Sequence, residues 1–207
     1  MADKSGKAVI IGATSGIGKA LAEILIREGY TVGLTGRRTE LLDELKKQYS
    51  DRVFTACMDV KNTAESSKQL KRLIDDMGGM DLFVYSSGTG HVNQDLVYEL
   101  EQETVDVNVT GFVNLATVAA DYFKQQKKGH IVGLSSVAAL RGGAESPAYN
   151  ASKAFMSNWM EGLRIKFHKI GIPVTVTDIR PGLTMACFQN NYLFKNMDKA
   201  KNGEILL

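Results

Sequence analysis

The sequence predicts an α/β fold built on a doubly wound parallel sheet with helices on both faces. Two observations support this prediction. Short apolar runs recur along the 207 residues without alternating apolar and polar positions, as is typical of strands buried on both faces. Longer segments with helical spacing separate these runs. No Pro/Ser-rich linker, low-complexity tract or internal repeat is present, so residues 1–207 are expected to form one domain.

Six apolar runs are predicted to form the strands. In chain order they are AVII (8–11), TVGLT (31–35), VFTAC (53–57), LFVY (82–85), IVGL (131–134) and VTVTDI (174–179). Right-handed crossovers link the strands of such a sheet, and ligands bind beyond the carboxyl ends of the strands. The loops that follow the strands are therefore the places where a functional site is expected.

Three stripes of apolar residues predict the buried faces of helices. The stripes are Ile17, Leu21, Ile24 and Leu25, then Leu70, Leu73, Ile74 and Met77, and then Phe155, Trp159, Leu163 and Phe167. The last stripe is expected to be core, or a face that pairs two helices in a dimer, rather than a substrate pocket.

Composition and charge exclude several classes of function. The net charge is +2 and no basic run is longer than a pair, so nucleic acid is not an expected partner. No apolar stretch approaches the ~20 residues that span a bilayer, and the first six residues lack the apolar core of a signal peptide, which predicts a cytoplasmic protein. Cys57 and Cys187 have neither disulfide nor metal spacing, so no metal site is predicted. Cys57 is expected to be a small buried hydrophobe.

A glycine-rich turn follows the first predicted strand. Gly12, Gly16 and Gly18 of GATSGIG lie between that strand and a helical segment. Without side chains, such a turn lets the backbone approach a pyrophosphate, and the helix N-terminus presents unpaired N–H groups to the anion. The turn therefore predicts a dinucleotide site, with a merely tight turn as the alternative.

The second predicted strand ends in TGRR, at 35–38, where the dinucleotide fingerprint expects an acid that holds a ribose 2′-hydroxyl. Arg37 and Arg38 offer instead fixed positive charge and forked donors, which suit a 2′-phosphate. The cofactor is therefore predicted to be NADP(H). Two solvated arginines at the start of a helix are the alternative.

The stretch SPAYNASKAF, at 146–155, places Tyr149 and Lys153 four residues apart behind a proline that can open a helix. Positions i and i+4 lie on one helix face, so the phenol and the ammonium can reach one point in space. Taken alone, a pair of this kind is more often part of an ordinary polar surface.

Carbonyl reduction requires such a pair of groups. Negative charge develops on the substrate oxygen, which needs a proton donor and a second hydrogen-bond donor. Tyr149 can supply the proton and Ser136 the second bond. Bringing a tyrosine pKa from about 10 to near 7 requires ~4 kcal/mol of preferential stabilisation of the phenolate. Lys153 supplies this only if the site is partly dehydrated.

From residue 7 to about residue 184, these motifs resemble the short-chain dehydrogenase/reductase family. The resemblance implies a Rossmann-type fold and an NADP-dependent oxidoreductase that transfers a hydride to or from a small carbonyl or alcohol. The catalytic residues that it implies are Asn108 in VNVTG, Ser136 in GLSS, and Tyr149 and Lys153 in YNASK. The cofactor contacts that it implies are Gly12, Thr14, Ser15, Gly16, Ile17, Gly18, Arg37, Arg38, Asp59, Val60, Ser87, Gly88, Tyr149, Lys153, Pro181 and Gly182.

The resemblance also implies individual roles. Lys153 would grip the nicotinamide ribose, Asp59 would bond the adenine, and Asn108 would hold a water that relays protons. A structural asparagine at a helix kink is an alternative for Asn108 that is compatible with this role. Family members commonly pair through the helix that carries the tyrosine, so a homodimer or homotetramer is expected.

Two features depart from the family pattern. Where the family usually has Asn-Asn-Ala-Gly after the fourth strand, this chain has Tyr85-Ser86-Ser87-Gly88, so the supporting hydrogen bonds must differ. After Gly182 only 25 residues remain, which predicts a shortened C-terminal region. Thr184 comes earlier than the family's usual threonine, so its carboxamide-binding role is not carried over.

Two other functions compete with the reductase. A nucleotide-sugar epimerase or dehydratase shares Tyr-x-x-x-Lys but carries a larger C-terminal substrate domain than this chain offers. A catalytically weak, NADP(H)-binding regulatory protein is the other, and the shortened C-terminal region favours it. His91, in the loop after the fourth strand, is interpreted either as an ordinary loop histidine or as a substrate contact.

Overall fold

The computed structural model describes residues 6–182, apart from the side chain of Ser50. Six parallel strands form one sheet in the order β3-β2-β1-β4-β5-β6. The strands are β1 (Lys7–Ile11), β2 (Thr31–Gly36), β3 (Val53–Cys57), β4 (Leu82–Tyr85), β5 (Gly129–Leu134) and β6 (Val174–Ile179). This order is that of a doubly wound sheet, so the predicted fold class is confirmed. The predictions for Thr184, Cys187 and the shortened C-terminal region lie outside the described residues.

The helices cover both faces of the sheet. They are α1 (Gly16–Arg27), α2 (Thr39–Gln48), α3 (Thr63–Asp76), α4 (Tyr98–Val105), α5 (Phe112–Gln126) and α6 (Pro147–Lys169). Helices α1 and α2 pack on one face through residues such as Ala22 and Leu42, beside Ile10. Helices α3, α5 and α6 pack on the other face, where Leu70 and Phe112 join a second core cluster.

β1 lies in the middle of the sheet and is paired to β2 on one side and to β4 on the other. From β1 the chain adds β2 and β3 in one direction and then β4, β5 and β6 in the other. Ile11 and Tyr85, the last residues of β1 and β4, are aligned in register. The loops that begin at Gly12 and Ser86 therefore leave the sheet side by side. Such a point, at the carboxyl ends of the strands, is where ligands bind in this class of sheet.

Burial agrees with the predicted stripe of one helix and departs from the predictions at Cys57 and Ile24. The stripe of Leu70, Leu73 and Ile74 in α3 and of Met77 directly after it is buried as predicted. Cys57 was predicted to be buried and is exposed, because it ends the edge strand β3, which pairs on one side only. Ile24 is 47% exposed, because α1 turns Ala22 and Ile26 toward the sheet instead.

Over the described residues, none of the helices combines the length and the apolar character needed to cross a bilayer.

Candidate active site

The first two turns of α6 carry the tyrosine and the lysine of the candidate site. Pro147 occupies the start of the helix, where its fixed φ favours helix initiation and its missing N–H is no loss. The Lys153 Nζ atom lies 5.7 Å from the centroid of the Tyr149 ring. Lys153 is only 5% exposed and donates to the Leu134 carbonyl oxygen at 2.9 Å. The ammonium is therefore held next to the phenol and largely shielded from water.

Asn108 lies in a π-helical segment, Asp106–Gly111, between α4 and α5. The side chain is fully buried and its amide contacts two elements. Its Oδ1 accepts from Thr89 N at 2.9 Å, while its Nδ2 donates to Thr89 O at 2.7 Å and to Ser152 Oγ at 2.9 Å. Asn108 thus ties the loop after β4 to α6. The widened π turn is a local distortion of the kind that often accompanies functional sites.

Gly88 lies next to the side chains of both Lys153 and Asn108. A Cβ atom at this position would lie 3.2 Å from Lys153 Nζ and 3.5 Å from Asn108 Oδ1. Two residues further on, a Cβ at Gly90 would lie 2.5 Å from Cδ2 of the Tyr149 ring. The loop after β4 therefore packs its backbone directly against the polar groups of the site.

Ser136 follows β5 and begins the short 3₁₀ turn Val137–Leu140. Its Oγ accepts from Ala138 N at 3.1 Å and lies 3.5 Å from the carbonyl oxygen of Pro181, to which it donates. The same carbonyl accepts from Val137 N at 3.1 Å. The predicted serine and the segment after β6 are thereby brought into contact.

The glycine-rich turn has the geometry that an anion site requires. Gly12 and Gly16 have φ values of +87° and +58°, which glycine adopts without strain. A Cβ at Gly12 would lie 2.7 Å from Ser87 N, and one at Gly18 would collide with the Gly12 carbonyl oxygen. The Ser15 side chain makes no capping hydrogen bond to α1. The N-terminus of α1 therefore fits a phosphate group.

The arginines after β2 lie beside this turn. Arg38 donates to Thr14 Oγ1 from Nη2 at 2.8 Å and from Nε at 3.3 Å, and both Arg37 and Arg38 are exposed. Asp59 follows β3, and its carboxylate accepts from Lys61 N at 3.0 Å. The carboxyl ends of neighbouring strands thus present two guanidinium groups and a carboxylate along one edge of the sheet.

His91 has a protein partner. Its Nε2 lies 3.0 Å from Glu103 Oε2 on α4. This contact favours an ordinary loop histidine over a substrate contact. Among residues 6–182, groups of three His, Cys, Asp or Glu side chains that could hold a metal ion do not occur.

Sequence reasoning missed three residues that support the site. Tyr85 is fully buried, and its hydroxyl donates to the Val107 carbonyl oxygen at 2.6 Å. Burial raises the pKa of the Tyr85 hydroxyl far above its usual value, so the hydroxyl stays a donor. The sequence did mark this position, because Tyr85 stands where the family usually has asparagine.

The other two missed residues are Glu101 and Asp178. The Glu101 carboxylate accepts from Ala148 N at 2.9 Å in the first turn of α6, and from Asn93 Nδ2 at 2.7 Å. The Asp178 carboxylate accepts from three donors: Ser135 just after β5, Ser157 on α6 and Arg180 just after β6. Both carboxylates accept hydrogen bonds from residues that are distant in sequence, so no local sequence pattern predicts these contacts.

Comparison with known proteins gives consistent matches. The sequence matches the short chain dehydrogenase family over residues 6–205. An uncharacterized oxidoreductase of Myxococcus xanthus is 36% identical over 180 residues, which cover 84% of this chain and 70% of the relative. The NADP-dependent 3-hydroxy acid dehydrogenase of Escherichia coli K12 is 31% identical over 194 residues, which cover 92% and 77%. The closed form of a serine dehydrogenase complexed with NADP+ has a TM-score of 0.81 at 29% identity, and the match covers 95% of this chain and 80% of that one.

Proposed function

The chain belongs to the short-chain dehydrogenase/reductase family, and from this premise we propose that it transfers a hydride between NADP(H) and the carbonyl or alcohol group of a small molecule. The observation that carries the proposal is the shielded position of the Lys153 ammonium, 5.7 Å from the Tyr149 ring centroid. A buried charge next to a phenol acts in a medium where electrostatic interactions are stronger than in water. This arrangement suits a tyrosine that exchanges a proton with substrate.

The residues at the carboxyl ends of β1 to β4 fit NADP(H). The pyrophosphate would lie at the N-terminus of α1, where Gly12 and Gly16 leave room for it. Arg37 and Arg38 would bind the 2′-phosphate, and Asp59 would bond the adenine. The names of the NADP-dependent hydroxy acid dehydrogenase and of the serine dehydrogenase complex support the same cofactor. When bound, the cofactor supplies or accepts the hydride.

The protein's own groups would handle the substrate oxygen and its proton. Tyr149 donates the proton during reduction and accepts it during oxidation. Ser136 adds a hydrogen bond to the same oxygen. Lys153 favours the phenolate form of Tyr149 and also binds the nicotinamide ribose, because an ammonium group can donate several hydrogen bonds. Asn108 supports a proton relay through water from its fixed position beside Thr89.

The relatives also guide the choice of substrate. Their names specify 3-hydroxy acids and serine, so we include this class among the substrates to be tested. The experiment measures NADP+ reduction with L-serine and 3-hydroxybutyrate, and NADPH oxidation with ketones, aldehydes and quinones. We expect turnover with at least one of these probes and none in Tyr149→Phe. NADPH binding without turnover of any probe would contradict the proposal and favour a regulatory protein.

We also propose that the protein forms a homodimer or homotetramer through α6. Phe155 is 40% exposed and Ile170 47% exposed on this helix and its end. A groove between α5 and α6 is lined in part by Trp159 and Leu163. Exposed apolar surface of this kind is typical of protein interfaces. Light scattering at assay concentration tests the proposal, and a monomeric mass would contradict it.

A further inference from the structure

Asp178, on β6, accepts hydrogen bonds from three directions. Its donors are the Ser135 hydroxyl, the Ser157 hydroxyl at 2.7 Å and the Arg180 Nε at 2.7 Å. A carboxylate offers about four lone-pair sites, so all three donors can be satisfied together. The Asp178 side chain is only 16% exposed. This cluster joins the ends of β5 and β6 to the middle of α6.

Just after β5, Asp178 fixes the residue that precedes the proposed catalytic serine. Ser135 is held twice, because its hydroxyl donates to Asp178 and its N–H donates to the Ile179 carbonyl oxygen at 2.9 Å. Ser136 has extended backbone, and side chains of consecutive residues in an extended chain point in opposite directions. Holding the Ser135 side chain on Asp178 therefore sets the direction in which Ser136 points.

On α6, Asp178 holds the helix one turn beyond the proposed catalytic lysine. Ser157 lies four residues after Lys153, so both side chains project from the same face of the helix. Ser157 is 8% exposed and Lys153 is 5% exposed. Helix α6 is thereby attached to the end of β5 in two ways, directly through Lys153 and Leu134 and indirectly through Ser157, Asp178 and Ser135.

We infer that Asp178 is a positioning residue of the active site, whose carboxylate sets the distance between Ser136 and Lys153 by holding Ser135 and Ser157 at one point. This inference rests on the proposed function. Asp178 does not itself contact the substrate oxygen, and the three donors leave it in a fixed place. Loss of the carboxylate would let β5 and α6 move relative to each other. Errors in position of about 1 Å at a catalytic group can cost about 100-fold in rate.

The experiment compares two substitutions of Asp178 with a matched control. Asp178→Ala removes the acceptor, whereas Asp178→Asn keeps one oxygen that can still accept from the serine hydroxyls. The control is Asn114→Ala, which removes another hub of side-chain hydrogen bonds, to Ser67 Oγ, Thr63 O and Ser66 Oγ, between α3 and α5 and away from the site. Each variant is assayed for kcat with the probe on which the wild type is most active.

We expect Asp178→Ala to lower kcat about 10- to 100-fold, with Asp178→Asn recovering a large part of this loss. The NADPH Kd should change less than about threefold, because Lys153 keeps its own bond to Leu134. Asn114→Ala should lower Tm but leave kcat unchanged. A kcat for Asp178→Ala that falls no further than that of Asn114→Ala would overturn the inference.

Amide hydrogen exchange tests the same inference without turnover. In Asp178→Ala, exchange should accelerate both at the end of β5 and in α6 around Ser157, whereas Asn114→Ala should accelerate exchange in α3 and α5. Unchanged exchange at the end of β5 would overturn the inference even in an active enzyme. A wild type that turns over none of the probes would instead overturn the proposed function, and the exchange result would still show whether Asp178 holds the two elements.

Discussion

The Tyr85 hydroxyl donates a 2.6 Å hydrogen bond to the Val107 carbonyl oxygen, one residue before Asn108. Tyr85 ends β4, and Val107 lies in the π-helical segment that carries Asn108. The Tyr85 ring also packs edge-on against Phe112 at 5.3 Å. This contact explains how the site is supported although the family's usual asparagine is absent. The backbone beside Asn108 is held by a phenol that reaches it from the sheet.

Replacing Tyr85 by Phe should therefore affect both stability and rate. The substitution leaves the Val107 carbonyl without its donor, which should lower the free energy of unfolding by about 1–3 kcal/mol. It should also lower kcat, because the π turn that positions Asn108 is no longer anchored. Urea unfolding and steady-state kinetics measure the two effects.

Tyr122→Phe is the matched control for this prediction. The Tyr122 hydroxyl accepts from Met80 N at 3.2 Å, in a region remote from Asn108. A similar loss of stability is expected, with kcat unchanged. Equal kcat in Tyr85→Phe and in the wild type would show that Asn108 needs no support from β4.

Lys153→Met should lower both turnover and cofactor affinity. The thioether lacks the charge and the N–H donors, so kcat should fall about 100-fold or more and the NADPH Kd should rise. Lys7→Met is a suitable control, because Lys7 Nζ donates to the Gly78 carbonyl oxygen at 2.8 Å on the exposed surface. Wild-type NADPH affinity in Lys153→Met would show that the ammonium does not bind the cofactor.

Substituting Arg37 and Arg38 by Ala should reduce the preference for NADPH over NADH. Hydrogen bonds to charged groups contribute about 1.5–3 kcal/mol each, so the ratio of kcat/KM values should fall roughly 30- to 1,000-fold after solvent screening. The wild-type preference should also shrink as salt rises. Equal use of both cofactors by the wild type would contradict the assignment of the 2′-phosphate site.

Alanine at Gly36 or Thr14 would be a less direct test. A Cβ at Gly36 would lie 2.5 Å from Thr14 Cγ2, so alanine there would displace the residue that accepts from Arg38. Thr14→Val instead removes only the hydroxyl. It should weaken NADPH binding less than the double arginine variant does, because both guanidinium charges remain.

Gly18→Ala should disrupt the cofactor turn, whereas Gly162→Ala should stabilise the protein. A Cβ at Gly18 meets the Gly12 carbonyl, which is backbone and cannot rotate away, so a loss of about 1–3 kcal/mol and weaker NADPH binding are expected. Gly162 lies in α6 with open space around its Cβ position. Alanine there should add about 0.5–1 kcal/mol. Thermal unfolding and NADPH fluorescence titration measure both changes, and a tolerated Gly18→Ala would contradict the close packing of the turn.

The stability of the protein should depend on Asp178 mainly above pH 4. Burial alone would raise the pKa of this carboxyl, but hydrogen bonds from Ser135, Ser157 and Arg180, together with the Arg180 charge, outweigh burial and lower it. A lowered folded-state pKa means that the charged carboxylate contributes stability above its unfolded pKa of about 3.9. This contribution is lost as the pH falls through the folded-state value.

The measurement is the difference in unfolding free energy between the wild type and Asp178→Asn. It should be constant from pH 7 to about pH 4.5 and shrink at lower pH, where the wild type loses its carboxylate. A difference that grows on acidification would mean that the carboxyl is protonated in the native protein near neutral pH.

The fold followed from local patterns in the sequence, whereas most residues of the candidate site were implied by the resemblance to a known family. Strands buried on both faces read as unbroken apolar runs, and the predicted bounds of β4 and β6 agree with the structure. Tyr149 and Lys153 were placed on one face of a helix because four residues make about one turn. The structure confirms this placement, while their roles in catalysis stay predictions.

The features that the sequence did not predict depend on tertiary contacts. Cys57 resembled the other apolar strand residues, and only the position of β3 at the edge of the sheet exposes it. Ile24 belonged to a plausible stripe, but the angle at which α1 meets the sheet turns it outward. Asp178 gathers donors up to 43 residues away in sequence. Single-sequence patterns contain no information on such distant partners.

The strand order has a consequence for synthesis of the chain. β1 lies between β2 and β4, and it leaves the ribosome before either of them. Its β2 side can pair early, but its β4 side must wait until residues 82–85 have emerged. The residues Ala8 to Ile11 are fully buried in the native sheet, so the waiting strand exposes apolar side chains beside its unpaired backbone groups. Parallel pairing across long sequence separations is slow and leaves edges open to aggregation. Nascent chains stalled before β4 should therefore depend on chaperones more than chains stalled after it.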